Sequence, residues 1–427
     1  MIKQKTLYSL RDISIIPQVS TDIESRSQCN PFAPSIEGKY NDFLPLIAAP
    51  MSCVYSDGKT YNDFWNVGIN CVIPRTVDPK ERLELMKTVF CAFSMKEATD
   101  ILELPVPSKS TKYYVLIDMA NGHMEKELEI GKKLKSKFGT SIVLMGGNIA
   151  NPKTYLLYEK AGFDFVRCNI GNGDVCLTST NTGVHYPMAS LISDIADIRP
   201  RNYKCKVVAD GGIGTYSEVI KCLALGADYV MAGGIFTKAT VSEDKLGTEV
   251  MYYGMSTKLA QKEMGNTELK TSEGKFKTVQ KEYTLQGWAY NMEDYLKSAM
   301  SYCDSRTLSE FRKKAVCQVI SPNSSKKIND KWAIEEGLGS LFIFLISVIV
   351  KRKVIREDTT YERVTYRFGL GVCNYCKYYI NMACRKFNKQ QEGISFCGLS
   401  IFIIIARKTK TKFDPTKFNH AYRVSQE

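Results

Sequence analysis

Eight short apolar segments recur between residues 45 and 233. They lie at 45–50, 69–74, 88–93, 113–118, 141–146, 165–170, 206–210 and 229–233. Each is an almost continuous hydrophobic run rather than an alternation, which is typical of parallel strands covered on both faces. Helical patterns separate several of them, at 123–138, 151–162 and 215–226. The pattern therefore predicts a repeated strand–helix unit.

Eight such units predict an α/β fold of the (β/α)8 (TIM) barrel type, with a doubly wound sheet as the alternative. Glycine and polar residues directly follow most of the segments, as at Gly147–Asn148 and Gly234. This favours the barrel, because barrel active sites form where the strands end. We expect the barrel to occupy residues 1–328 and an unassigned extension to occupy 329–427.

The most informative segment is the sixth run with the loop after it. Residues 169–187 read NIGNGDVCLTSTNTGVHYP. Glycine allows the backbone to approach a ligand closely, and local N–H dipoles favour a thiolate at Cys176. From these residues alone Cys176 is either a nucleophile or a small buried side chain.

Paired glycines follow the seventh and eighth runs. They are Gly211–Gly212, directly after Asp210, and Gly233–Gly234. In barrels the loops after these two strands commonly bind phosphate through backbone N–H groups. Each pair alone could be a tight turn, but both at these positions predict a phosphate site.

The loop at 169–187 resembles the catalytic-cysteine loop of the IMP dehydrogenase and GMP reductase family. Thr178 and the Thr182–Pro187 segment (TGVHYP) favour the reductase branch. The resemblance continues through segments like ADGG at 209–212, YGMS at 253–256 and KTSEGK at 270–275, and it extends from about residue 8 to 320.

The resemblance implies NADPH-dependent reductive deamination of GMP to IMP and ammonia. Cys176 would attack C2 of the purine, since a thiolate is both a strong nucleophile and a good leaving group. Thr178 and Glu273 would carry the proton that ammonia needs in order to depart. Without the resemblance, Glu273 would be interpreted as a solvated loop carboxylate.

The resemblance also implies the binding residues and a monovalent cation such as K⁺. Substrate would be bound by Asp210, Gly211, Gly212, Gly233, Gly234, Tyr253, Gly254, Met255, Ser256, Lys270, Ser272 and Gly274. NADPH would be bound by Ser25, Arg26, Arg75, Asp118, Ala120, Ile170, Gly171, Met255, Lys270, Ser298 and Ser301. Backbone carbonyls of Gly171, Gly173 and Cys176 would hold the cation, and Ser298 and Ser301 imply a homotetramer in which a neighbouring subunit completes the cofactor site.

Two absences separate the reductase from the alternative, IMP dehydrogenase. Residues 75–87 are too few for the regulatory insertion of the dehydrogenase, and no arginine or tyrosine lies between Ser256 and Gln280 to activate water. Asp174 stands where the family usually has serine near the phosphate, and Lys270 stands where the reductase usually has arginine. These departures bear on the substrate more than on the fold. Asp174 and the unrecognised extension after residue 328 keep open a catalytically silent nucleotide-binding or membrane-associated homologue.

Charge and cysteine usage bear on the C-terminal extension and on the cellular location of the protein. Lys331 to the end carries 17 Lys and Arg against 8 Asp and Glu, so nine of the thirteen net positive charges belong to the last 97 residues. No motif supports nucleic-acid binding. The 14 cysteines are dispersed as in reduced intracellular proteins, and no apolar signal segment opens the chain. We expect a cytoplasmic enzyme.

The extension carries two apolar runs, at 337–350 and 393–406, each followed by basic residues. Each is short of the roughly 20 residues that a membrane span needs. Three interpretations stay open: elements of an added domain, an interfacial hairpin with membrane contact, or an extension foreign to the working protein. Cys373, Cys376, Cys384 and Cys397 match no zinc-finger spacing and are interpreted as spare thiols.

Overall fold

The computed structural model describes residues 5–328. The chain divides into two units, Met1–Ala333 and Ile334–Glu427, and only the first is described below. The apolar runs, basic clusters and four cysteines of the extension lie outside the described residues. Their interpretations, like the domain boundary at 328, stay predictions.

The described residues contain a closed barrel and six accessory strands. The strands are β1 (Ile13–Ile16), β2 (Leu46–Ala48), β3 (Asn70–Ile73), β4 (Phe90–Phe93), β5 (Tyr113–Ile117), β6 (Ile142–Ile149), β7 (Phe165–Cys168), β8 (Lys206–Asp210), β9 (Tyr229–Ala232), β10 (Ala239–Thr240), β11 (Glu249–Tyr253), β12 (Phe276–Gln280), β13 (Tyr283–Thr284) and β14 (Val316–Val319). Strands β2 to β9 are parallel and pair in chain order, and β9 closes onto β2 with Val230 beside Leu46. Each of the eight predicted segments coincides with one barrel strand, although β6 continues to Ile149, beyond the predicted end at 146, so the (β/α)8 prediction is confirmed.

Helices separate the barrel strands. The described residues contain α1 (Tyr61–Trp65), α2 (Pro79–Leu85), α3 (Met95–Asp100), α4 (Glu125–Phe138), α5 (Pro152–Ala161), α6 (Thr178–Thr182), α7 (Met188–Ile198), α8 (Tyr216–Ala224), α9 (Gly234–Lys238), α10 (Lys258–Glu263), α11 (Leu285–Tyr302) and α12 (Leu308–Lys314). The three predicted helical patterns correspond to α4, α5 and α8. The ends of α5 show the local cause: Asn151 accepts a hydrogen bond from the N–H of Lys153, Pro152 opens the helix, and Gly162 ends it at a φ of +84°.

Two apolar layers cover the barrel strands. Alternate residues such as Ile47, Val72 and Phe90 pack inside the barrel, while their neighbours pack against the outer helices. The start of the barrel is closed by residues 33–37, because Tyr114 and Tyr229 donate hydrogen bonds to backbone carbonyls there. With its base filled, the barrel is open for binding at the carboxyl ends of its strands.

Three small sheets flank the barrel. β1 pairs antiparallel with β14, β11 pairs antiparallel with β12, and β10 pairs parallel with β13. The β11–β12 hairpin projects beside the carboxyl ends of the barrel strands and carries side chains of the site described below. Among the described residues, every helix is too short or too polar to cross a membrane.

Candidate active site

The cysteine loop folds tightly at the end of β7. The side-chain oxygen of Asn169 accepts hydrogen bonds from both the backbone and the side chain of Asn172, at 3.0 and 2.9 Å. The N–H of Cys176 donates to the carbonyl of Gly173 at 2.9 Å. These bonds place Cys176 half-buried at the rim. Of the cysteines described, only Cys176 and Cys317 are not fully buried.

Three candidate catalytic side chains form one chain of hydrogen bonds. The thiol of Cys176 donates to the hydroxyl of Thr178 at 3.3 Å, and that hydroxyl donates to a carboxylate oxygen of Glu273 at 2.6 Å. All three side chains are half-buried. The arrangement gives the thiol proton a route to a carboxylate through one hydroxyl.

The segment with Glu273 is fixed against the cysteine loop by backbone hydrogen bonds. The N–H of Leu177 donates to the carbonyl of Glu273 at 2.6 Å, and the N–H of Lys275 donates to that of Val175 at 2.9 Å. Cys176 and Gly274 form an antiparallel bridge. A side chain at Gly274 would lie only 2.9 Å from Thr257 and 3.0 Å from the hydroxyl of Ser256, so glycine permits this close approach.

The glycine pair after β8 contacts the same loop. Gly211 and Gly212 have φ of +85° and +72°, and a Cβ at Gly212 would lie 2.4 Å from the carbonyl oxygen of Asn172. On the other side of the loop, a Cβ at Gly173 would lie 3.3 Å from that of Cys176. The predicted phosphate turn and the thiol therefore adjoin opposite sides of one short loop.

Both glycine pairs line a cavity of about 630 Å³ at this end of the barrel. This volume is within the range of small-molecule sites. Further residues of the cysteine loop, the hairpin and the N-terminal segment complete the wall, and those that bear on ligand charge are Arg11, Asp174, His185, Glu218, Lys238 and Lys277. Cys176 does not itself line this cavity and lies one turn further along the loop.

The two adjacent tyrosines of β11 point in different directions. Tyr252 lines the cavity, where a Cβ at Gly234 would lie 3.5 Å from its hydroxyl. Tyr253, the residue predicted from sequence, instead donates its hydroxyl to Glu263 at 2.7 Å. Sequence reasoning missed Tyr252. The alternation of side chains along a strand places only one of the two on the cavity side.

A buried arginine joins two predicted ligand-binding acids. Arg167 lies 2.5 Å from Asp118 and 2.8 Å from Asp210, and Asn148 donates to Asp210 at 2.8 Å. Although burial opposes its charged form, the carboxylates of Asp210 and Asp118 raise the pKa of Arg167. Sequence reasoning missed Arg167 and Asn148. Each is the second-last residue of a barrel strand, Asn148 of β6 and Arg167 of β7, so the available signal was a polar residue at the end of an apolar run.

The other substrate candidates lie around the cysteine loop. Gly254 approaches Val175, Met255 packs with the cluster beneath it, and Ser272 donates to the carbonyl of Gly274 at 2.7 Å. Lys270 is exposed, and its backbone N–H is held by Gln261 at 2.7 Å. These residues adjoin the cysteine loop but are not among those that line the cavity of the glycine pairs.

The cofactor candidates fall into two groups. Arg26 lies 3.3 Å from the hydroxyl of Ser298 and 2.9 Å from Asp294, and Ser301 donates to the carbonyl of Ser298 at 2.7 Å. This group joins Ser25 and Arg26 of the N-terminal segment to Ser298 and Ser301 of α11, and none of the four follows a barrel strand. The second group consists of Arg75, Asp118, Ala120, Ile170 and Gly171, which follow barrel strands, and of Met255 and Lys270, which lie in the connections on either side of α10.

The carbonyls predicted to hold a cation belong to the tight turn of the loop. The carbonyl of Gly171 accepts from the hydroxyl of Ser179 at 3.0 Å, and that of Gly173 accepts from the N–H of Cys176. Each carbonyl oxygen has a second lone pair, so these hydrogen bonds do not fill its capacity as an acceptor. No cluster of three or more histidine, cysteine or carboxylate side chains occurs in the described part of the chain.

Asp174, the departure from the family pattern, forms an ion pair with Lys277 of β12. The side chains are 57% and 42% exposed, so both remain accessible from the cavity. A lysine thus offsets the negative charge that this loop brings to the predicted phosphate site.

Comparison with known proteins agrees with this geometry. Residues 99–329 match the family model described as the IMP dehydrogenase / GMP reductase domain. The chain is 27% identical over 331 residues to the GMP reductase of Helicobacter pylori, an alignment that covers 74% of this chain and 97% of that protein. A Staphylococcus aureus GMP reductase is 28% identical over 336 residues, with the same coverage, and GMP reductase 1 of Mus musculus is 31% identical over 209 residues, covering 47% of this chain and 60% of the mouse protein. The chain belongs to the IMP dehydrogenase / GMP reductase family.

Proposed function

We propose that the protein reduces GMP to IMP and ammonia with NADPH, through a covalent bond between Cys176 and C2 of the purine. The observation that carries this proposal is the hydrogen-bonded chain from Cys176 through Thr178 to Glu273. A thiol poised on a proton acceptor is the arrangement that nucleophilic catalysis requires. The family membership and the relatives named GMP reductase support the same reaction.

In the proposed reaction, these three side chains provide the nucleophile and transfer the proton. The Cys176 thiol proton passes through Thr178 to Glu273, and the thiolate adds to C2 of GMP. The same proton then returns through Thr178 to the amino group, the C2–N bond breaks, and ammonia leaves. After hydride adds at C2, the C2–S bond breaks, which releases IMP and regenerates the thiolate.

The remaining residues position the nucleotide. We assign its phosphate to the turns at Gly211–Gly212 and Gly233–Gly234 with Tyr252, and its ribose to Asp210. The base would lie between the cysteine loop and Met255, Ser256, Ser272 and Gly274. The Arg167 bridge would fix Asp210, since a carboxylate held by two partners loses little freedom on binding.

The cofactor residues fit NADPH in their chemistry. When bound, NADPH would supply the hydride that replaces the amino group at C2. Arg26 of the N-terminal segment and Ser298 and Ser301 of α11 offer a cation and hydroxyls, but none of them follows a barrel strand. We therefore assign them to the Cys176 site of a neighbouring subunit in a homotetramer, and we assign the loop carbonyls to K⁺.

The alternative reaction, oxidation of IMP with NAD⁺, needs a group that activates water. Between Ser256 and Gln280 the chain offers neither arginine nor tyrosine, and only α2 occupies the connection where the dehydrogenase has its insertion. Purified full-length protein should oxidise NADPH in the presence of GMP and release ammonia. Turnover of IMP with NAD⁺ would instead assign it to the dehydrogenase, and nucleotide binding without either turnover would identify a catalytically silent homologue.

A further inference from the structure

The Asp174–Lys277 ion pair lines the cavity but has no part in the reaction proposed above. Asp174 belongs to the cysteine loop, between Gly173 and the buried Val175. Lys277 belongs to the hairpin, on β12. The pair therefore connects the two elements that bring Cys176 and Glu273 together.

The ammonium of Lys277 lies beside the predicted phosphate turn. Lys277 is directly opposite Tyr252 in the β11–β12 register, and its nitrogen is 5.7 Å from the centre of the Tyr252 ring. The same ring packs against Gly233 and Gly234, where added Cβ atoms would lie 3.7 and 3.5 Å from it. Tyr252 therefore contacts both the glycine pair and the ammonium of Lys277.

The other cations of the cavity are committed to acids with structural roles. Arg11 lies 3.2 Å from Glu218, whose carboxylate also accepts the N–H of Gly214 at 2.8 Å and caps α8. Lys238 lies 2.9 Å from Glu282. In the described residues, Asp174 has no hydrogen-bond partner except Lys277, so this is the pair whose charges can respond to a ligand.

The charges decide which ligand this pair suits. An unpaired Asp174 would repel a phosphate at the glycine turns, because like charges this close disfavour each other. An ammonium has three N–H donors, so Lys277 can keep Asp174 and still donate to a phosphate oxygen. Charge-assisted hydrogen bonds of this kind are stronger than those from neutral backbone groups.

We propose that Lys277 binds the 5′-phosphate of the nucleotide substrate and that Asp174 positions its ammonium. The inference rests on the proposed function and deepens it: the pair makes the site select nucleoside monophosphates over nucleosides. It assigns to a side chain of this protein a part of phosphate binding that the glycine turns alone would otherwise perform.

The test compares binding of GMP, guanosine and inorganic phosphate to the full-length protein by calorimetry. Lys277→Met should weaken GMP binding by about tenfold or more and leave guanosine binding within about twofold. Lys277→Arg should keep most of the preference for GMP. Lys132→Met, at an exposed position on α4, removes the same charge far from the cavity and should change neither.

A double variant isolates the role of Asp174. Asp174→Ser combined with Lys277→Met removes the repulsion as well as the cation, so GMP should bind more tightly to it than to Lys277→Met alone.

The proposal is overturned if Lys277→Met weakens GMP and guanosine equally, if it changes neither, or if the parent binds neither GMP nor inorganic phosphate. Binding of inorganic phosphate tests this inference independently of the reaction. If Lys277→Met no longer binds inorganic phosphate, the phosphate site is supported even in a protein that does not reduce GMP. Conversely, GMP turnover with unchanged phosphate preference would overturn the inference alone.

Discussion

The hydroxyl of Thr178 connects two residues that lie on different elements. It accepts from the Cys176 thiol and donates to Glu273, 95 residues away in the chain. A single hydroxyl can do both because it is one donor and also an acceptor. At the scale of the residue, we therefore expect Thr178 to control proton exchange between the thiol and the carboxylate.

Replacing Thr178 tests this relay. Thr178→Val keeps the branched shape but removes the hydroxyl, so we expect kcat for GMP reduction to fall by about 10²–10⁴, the range typical of general acid–base catalysis. Thr178→Ser keeps the hydroxyl and should retain most of the rate. The dissociation constant for GMP, measured by calorimetry, should change little in either variant. Equal rates for the valine and serine variants would contradict the relay.

Glu37 predicts a pH dependence of stability. It is 3% exposed at the closed base of the barrel, and burial raises its pKa from 4.5 to about 7. A raised pKa means that the folded state binds the proton more tightly, so this contribution is full below about pH 4.5 and is lost as the pH rises through 7. The free energy of unfolding of the parent, relative to Glu37→Gln, should fall across this interval by up to about 3 kcal/mol.

Urea titrations at several pH values measure this difference. Glu129→Gln, at an exposed position on α4, removes a carboxylate of the same type and is the control. A parent-minus-variant difference for Glu37→Gln that stays constant from pH 4 to 8 would contradict the assignment.

Single residues were predictable where chemistry and position coincide in the sequence. Cys176 follows a glycine-rich loop and was a candidate nucleophile on that ground. The roles of Thr178 and Glu273 could be inferred only through the family resemblance, since an isolated hydroxyl or loop carboxylate has no distinguishing pattern. The sequence could not show which of Tyr252 and Tyr253 faces the cavity, because the direction of a side chain on a half-exposed strand pair depends on its register. Arg167 was hidden inside an apolar run, where its two acidic partners are distant in the chain.

At the scale of elements, the turn after β8 and the cysteine loop are built to fit each other. Gly212 faces the carbonyl of Asn172 so closely that no Cβ can be added without moving the loop. The turn at Gly247 has a similar backbone, with φ of +80°, but no atom lies within 4 Å of an added Cβ. Comparing alanine variants at these two glycines therefore distinguishes the effect of backbone strain from the effect of contact with the loop.

Gly212→Ala and Gly247→Ala should both lower stability by about 1–2 kcal/mol through the left-handed backbone. Only Gly212→Ala should also weaken GMP binding and slow turnover, because it displaces the cysteine loop. Thermal unfolding and calorimetry measure the two effects. Equal GMP affinity in the two variants would show that the loop does not depend on the turn.

Barrel strands and accessory strands differ in how far the sequence reveals them. The eight barrel strands are buried on both faces, so they appear as apolar runs at the correct positions. β12 and β14 are largely exposed and β1 is only partly buried, and none carries a regular pattern. The pairing of β1 with β14, about 300 positions apart, therefore could not be inferred. The local sequence pattern indicates which strands are buried, but it does not indicate which exposed strands pair with each other.

At the scale of the molecule, β14 joins the end of the described chain to its beginning. It pairs with β1 from Ile13–Val319 to Ile16–Val316, and the N–H of Ile320 donates to the carbonyl of Asp12 at 2.9 Å. Leu10 and Ile13 are buried beside this pair. The barrel unit should therefore need residues up to about 320 and should not need the extension.

Two truncations test this expectation. A chain ending at residue 328 keeps β14 and should unfold cooperatively and reduce GMP like the full-length protein. A chain ending at residue 314 lacks β14 and should melt at a lower temperature, because β1 loses its partner. Loss of folding or turnover in the longer truncation would show that the extension belongs to the barrel unit.

The central claim is that the sulfur of Cys176 bonds to the purine, and mass spectrometry of the full-length protein tests it most directly. Incubation with GMP in the absence of NADPH should add the mass of GMP less ammonia to the peptide that contains Cys176, and NADPH should remove it with release of IMP. Cys317→Ala, which changes the other partly accessible cysteine described, should form the same adduct, whereas Cys176→Ala should form none. Saturating GMP that leaves Cys176 unmodified, or an adduct on another residue, would contradict the account.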